Sequence, residues 1–176
     1  MMYEIIISII LLIIIISISY LTLTSFNNRK KIRKIYDALA NYALINEIND
    51  FEIIYKKDND YDFLCKFDDQ FLLIKIIDNP NSNEIILNSR SKWQINKGGS
   101  KDYFVNDIES FLVLDTKKIK EENVFKIALI YPNSRNLMRY VNECELAFIY
   151  PNQEIYGCHL IRFLNLNQDL NEIIKI

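Results

Sequence analysis

Histidine is almost missing from this 176-residue chain, with His159 the only one, and cysteine, glycine and proline each occur three times. A structural zinc centre needs four ligands in a closing geometry. One histidine and the scattered Cys65, Cys144 and Cys158, without CxxC spacing, do not offer that set. An odd number of unpaired cysteines also argues against a disulfide framework and suits a reducing compartment. Cys158 and His159 are adjacent, but neighbours in a strand point to opposite faces, so they do not form a nucleophile–base pair there. Scarce glycine removes another group of functions. There is no GxxxxGK[ST], no GxGxxG and no GxSxG, the loops that cradle phosphates or expose a nucleophilic serine. Gly98-Gly99 is the one adjacent pair left for such a loop.

Charge is also absent, over one long stretch. Between Glu4 and Arg29 no residue is charged, and residues 5–26 read IIISIILLIIIISISYLTLTSF. About 20 apolar residues in a helix cross a hydrocarbon core of roughly 30 Å, so residues 1–28 read as a transmembrane anchor. A cleaved signal peptide would carry positive charge before its apolar run and small residues after it. Met1-Met2-Tyr3-Glu4 has no basic side chain, and no A-x-A-like site follows. Instead Arg29, Lys30, Lys31, Arg33 and Lys34 flank the C-terminal end. The positive-inside rule then puts the cell-membrane anchor's N-terminus outside and residues 29–176 in the cytoplasm.

The remainder is the usual size of one domain with one core. Its charge is opposite to the anchor's. Residues 1–34 hold five basic and one acidic side chain (+4), and residues 35–176 hold 16 basic and 22 acidic ones (−6). An acidic domain is a poor generic binder of nucleic acid, where phosphate contacts dominate affinity.

Hydrophobic periodicity lays out the elements. Residues 29–48 predict a basic amphipathic helix next to the membrane, with Ile32, Ile35, Tyr36, Leu39, Tyr42 and Ala43 on one stripe. Strands are predicted at residues 51–56, 61–67, 71–77 and 84–88, with polar turns between them. Residues 89–102 read as an irregular loop holding Arg90, Lys92, the lone Trp93, Lys97 and Lys101. Asn106 and Glu109 match a capping pattern that opens a helix running to about residue 120. A strand at 125–131 follows, then a helix from Asn133 or Ser134 to about residue 142. Strands at 145–150 and 156–164 and a short helix after Asn165 close the chain. The fold class is therefore α/β (α+β) with a mixed sheet, in the order α-β-β-β-(β)-α-β-α-β-β behind one transmembrane helix.

A helix, three strands, a helix and a strand, with Asp62 in the hairpin and Lys75 in the third strand, resembles the PD-(D/E)XK nuclease superfamily. The membrane-anchored nuclease-related domains of bacteria look closest, and the likeness covers about residues 35–131. In that family an Asp and the acid of an acid-x-Lys motif hold a divalent metal, and the Lys helps activate water. The resemblance thus implies Asp62 and Lys75 as catalytic candidates, with Mg²⁺ as cofactor if the site is active. Leu73 stands at the acid position, and hard cations want carboxylate oxygens. Asp68, Asp69, Asp78 and Glu52 are the acids near enough in sequence to replace it.

The expected function is a non-catalytic binding or scaffold module held at the membrane, on a degenerate nuclease-like fold, with an unknown protein partner. The alternative is an active metal-dependent nuclease with a rearranged site and nucleic acid as its substrate. A further alternative is an anionic-lipid or polyanion sensor using Arg29, Lys30, Lys31, Arg33, Lys34, Arg90, Lys92 and Trp93, since aromatic and basic side chains together suit headgroups and strands.

Overall fold

In the computed structural model the described residues are 2–56, 60–90, 92–97, 100–104, 106–114 and 123–174. They form two compact units, Met1–Leu39 and Ala40–Ile176.

The first unit is a single helix, most of α1 (Met2–Ile45). With neither Gly nor Pro inside it, nothing interrupts the i→i−4 ladder. Large apolar side chains from Ile6 to Phe26 are exposed. The hydroxyls among them are satisfied within the helix: Ser17 donates to Ile13 O at 2.8 Å, Thr22 to Ser19 O and Thr24 to Tyr20 O, both at 2.9 Å. Among the described residues this is the one helix long and apolar enough to cross a membrane. Farther along, Arg33 pairs with Asp37 one turn on, at 4.0 Å.

The second unit begins with the last turns of α1. Ile48 N–H donates back to Ala43 O at 3.0 Å, and Glu47 takes a left-handed φ of 55°. This is a Schellman closure, with a Glu where Gly is usual. Tyr42 and Ala43, on the stripe shared by Ile35 and Leu39, are buried, and the Tyr42 ring lies 5.7 Å from that of Phe67.

Two mixed sheets follow. The larger has six strands: β1 (Phe51–Tyr55), β2 (Phe63–Phe67), β3 (Gln70–Asn79), β7 (Val124–Pro132), β11 (Cys158–Arg162) and β10 (Glu154–Ile155), in that spatial order. β1, β2 and β3 are antiparallel, while β7 runs parallel to both β3 and β11. The smaller sheet has the order β6 (Ser100–Phe104), β5 (Lys92–Lys97), β4 (Glu84–Ser89), β8 (Leu137–Tyr140) and β9 (Leu146–Phe148). Here β4 and β8 are parallel, with Ile85 opposite Leu137. Helix α2 (Asn106–Val113) packs into the core common to both sheets, where Leu73, Ile77, Trp93, Phe111, Ala128 and Ile130 meet. Helix α3 (Leu166–Ile173) closes the chain. Its buried Asp169 accepts from Arg162 N–H at 3.0 Å, and burial raises its carboxyl pKa against the pull of Arg162.

β3 and β7 each leave the large sheet, turn, and continue in the small one as β4 and β8. At the turn Asn79 is fully buried, and its Nδ2 donates to Asn83 O and Asn133 O, both at 2.8 Å. Asn79 Oδ1 accepts from Asn83 N–H at 3.1 Å. Buried Ser134 places Oγ 2.8 Å from Asn83 O and 2.7 Å from Asn136 O.

Two local expectations are corrected. Residues 133–142 are not a helix, because Ser134 is committed to this corner and Leu137–Tyr140 finds β4 as a parallel partner. Tertiary pairing overrides the local capping signal. Residues 89–102 are not an irregular loop either; β5 and β6 form an antiparallel hairpin with Trp93 opposite Phe104. The last turns of the predicted second helix, at 115–120, lie outside the described residues.

Asn79→Ala should cost about 3 kcal/mol, because Asn133 O and Asn83 N–H lose their side-chain partner and Asn83 O keeps only Ser134; chemical denaturation reads this as a lower midpoint with unchanged slope. Tyr42 Oη is buried without a hydrogen-bond partner among the described residues, and burial pushes its pKa up to about 12. Tyr42→Phe should therefore stabilise the domain by about 1 kcal/mol. The raised pKa favours the folded state below pH 10, and that contribution is lost between pH 10 and 12. Stability curves of the two chains over that window should diverge, with wild type falling faster.

Candidate functional site

Asp62 directly precedes β2 and is held by its own backbone and side chain. Its N–H donates to Ile74 O at 2.8 Å, its carbonyl accepts from Lys56 N–H at 2.9 Å, and Oδ2 accepts from Ile76 N–H at 2.7 Å. Because Phe63 is opposite Ile74, Asp62 falls opposite Lys75 on β3. The half-buried Lys75 lies opposite Ala128 on its other side. The two residues singled out in sequence are thus cross-strand neighbours.

Leu73, at the acid position, is fully buried in the core between the sheets. Asp68, Asp69 and Glu52 lie away from Asp62. Asp68 and Asp69 form the β2–β3 turn at the other end of β2, where Asp68 Oδ1 accepts from Asp50 N–H at 3.2 Å and Asp69 Oδ2 from Asn123 Nδ2 at 3.4 Å. Glu52 sits opposite Lys66 on the edge strand β1. Asp78 is exposed near the far end of β3, opposite Tyr131. Among the described residues no three of His, Cys, Asp and Glu come together to hold a metal ion.

The basic and aromatic candidates separate. Arg29, Lys30, Arg33 and Lys34 are exposed along α1, with Lys31 half-buried. Lys92 is exposed, but Trp93 has no exposed surface and packs as a core residue. Arg90 turns toward helix α2, its Nη2 donating to Leu112 O at 2.8 Å.

That last contact opens onto a cleft of about 650 Å³ that sequence reasoning missed. It lies where β7 and β11 begin, between the end of α2 and the β10–β11 hairpin, with Arg90 at one side. Lys126 Nζ donates to Phe111 O at 3.2 Å and to Leu112 O and Leu114 O, both at 2.9 Å. An ammonium has three protons, so it caps the negative end of α2. In the hairpin, Ile155 pairs with Cys158, while Tyr156 and Gly157 take φ of 55° and 82°. Two consecutive positive φ values make a tight two-residue turn whose twist matches the strands, and it sets Tyr156 on the cleft wall. Gly157 after an apolar pair was the available signal for that turn. His159 Nδ1 lies 2.9 Å from Pro151 O. A carbonyl only accepts, so Nδ1 carries the proton, and in the neutral ring Nε2 is an acceptor. Cys158 beside it is buried, which pushes its thiol up to about 12 despite nearby Lys126 and leaves it inert.

No family model, curated protein or solved structure matches the chain.

Lys126→Met should remove the charge-assisted cap of α2 while keeping the apolar stem. A loss of about 2 kcal/mol is expected, measured as a lowered thermal midpoint of the purified full chain.

Proposed function

We propose that the chain is a single-pass protein of the cell membrane whose domain from residue 29 onward faces the cytoplasm and acts as a non-catalytic binding module. The observation that carries this reading is the fate of the motif residues: Asp62 spends a carboxylate oxygen on the Ile76 amide, and Leu73 is buried where a second carboxylate would stand. A divalent cation used for phosphodiester cleavage wants several oxygen ligands and open positions. One engaged carboxylate and a leucine are a poor offer. The exposed apolar surface of α1 and the basic run after it support the anchor and its orientation. Near anionic headgroups each of those cations contributes about 1 kcal/mol of attraction.

A second reading has its own support. The order β1-β2-β3-β7, with β3 parallel to β7 and Asp62 opposite Lys75, agrees with descent from a nuclease-like fold. Under that reading the domain is a metal-dependent nuclease, and Asp62 and Lys75 would carry the metal and the water activation.

Calorimetric titration of the full chain in detergent with Mg²⁺ and Mn²⁺ separates the two. The binding-module reading expects no heat that Asp62→Ala abolishes and no DNA cleavage with either cation. Cation-dependent cleavage lost in both Asp62→Ala and Lys75→Ala would replace it with the nuclease reading.

A further inference from the structure

We propose that the cleft at the start of β7 and β11 binds a small organic acid, its carboxylate or phosphate on Arg90 and its apolar body on Val113, Leu114 and Val124. The inference deepens the binding-module reading by naming a ligand class, and it rests on that reading. Small-molecule sites are concave, mostly apolar, of about 300–1,000 Å³, with a few polar groups that fix orientation. The cleft meets the size condition, and its lining combines apolar and polar surface in about equal parts. Its volume is about 650 Å³, and Leu112, Val113 and Leu114 at the end of α2 and Val124 at the start of β7 are among its lining residues.

The polar groups divide into spent and available ones. Lys126 gives its three protons to the end of α2, so it contributes positive potential to the cleft but no donor. Arg90 is different. One of its five N–H groups goes to Leu112 O, a bond that anchors the guanidinium plane at the cleft side. The rest of the planar fork has no partner among the described residues, and that fork matches a carboxylate or phosphate edge. An anion seated there gains two charge-assisted bonds from a group already held in place, which lowers the ordering cost of binding.

The opposite wall asks for something else. Glu154 is an acceptor, Tyr156 brings a hydroxyl and His159 a ring nitrogen, all on or beside the β10–β11 hairpin. A ligand acidic at one end and bearing an O–H or N–H at the other satisfies both walls; a dianion at the hairpin end would face Glu154. The Phe125 and His159 rings, 6.2 Å apart at their centroids, stand at this end of the cleft.

The test uses the full chain in detergent micelles and two probes, 4-hydroxybenzoate for a carboxylate and 4-hydroxyphenyl phosphate for a phosphate, followed by ligand-observed NMR titration. Saturable binding of at least one probe is expected, and the preferred probe identifies the acid. Binding should weaken at least tenfold in Arg90→Gln. Because Arg90 also holds α2, Val113→Glu serves as a second variant: Val113 is exposed on the cleft wall, and a carboxylate there repels the ligand without touching the core. 4-Hydroxybenzyl alcohol, neutral and otherwise similar, should bind at least tenfold more weakly. Absence of saturable binding by both acids, equal binding in both variants, or equal binding of the alcohol overturns the proposal. Any of these would leave the metal titration of Asp62, and hence the binding-module reading, untouched.

Discussion

Two parallel strand pairs share one corner, and the rest of the domain depends on it. β3 pairs with β7 in the large sheet and, after a turn, their continuations β4 and β8 pair in the small one. Parallel strands cannot be joined by a tight turn, so everything between residues 89 and 124 is crossover. The hairpin β5–β6 and helix α2 are built from it. The corner is polar inside an apolar core, and it is stable only because its buried groups find partners. Asn79 serves three backbone groups at once, and Ser134 bridges two carbonyls. An apolar residue at position 79 would take from Asn133 O and Asn83 N–H their side-chain partner, whereas Asn83 O would keep Ser134.

The same economy governs the residues that look chemical. Asp62, Lys126 and Cys158 each have a side chain associated with catalysis, and each is held by a structural duty or by burial. Asp62 fastens the start of β2 to β3. Lys126 closes a helix terminus, and Cys158 is buried with its thiol kept protonated. Polar side chains without such a duty line the cleft, where Arg90 and the β10–β11 hairpin stand beside the apolar end of α2. The tight Tyr156–Gly157 turn matters here because it fixes one wall of that cleft through backbone geometry.

Much of this was legible in the pattern of residues. The charge-free run gave α1 its exposed apolar surface, and alternation in residues 61–67 and the apolar run 71–77 gave β2 and β3. The closing helix α3 followed from Leu166, Leu170 and Ile173. Two segments were misread for one reason. Asn133-Ser134 looks like a helix cap, and residues 89–102 look like a solvated loop, because short polar side chains satisfy local backbone equally well in either setting. For residues 137–140 the setting depends on the distant β4, with Ile85 opposite Leu137, whereas β5 pairs with its sequence neighbours β4 and β6.

The sequence by itself determined the elements whose signal lies within one window: a long apolar helix, its basic flank, the first three strands and the scarcity of histidine and glycine that removes whole classes of chemistry. Only the tertiary structure decided the second sheet, the capping role of Lys126 and the cleft. Those depend on non-local pairing, in which β8 becomes a strand because β4 offers it unpaired backbone groups. Propensity cannot announce a partner that distant residues supply.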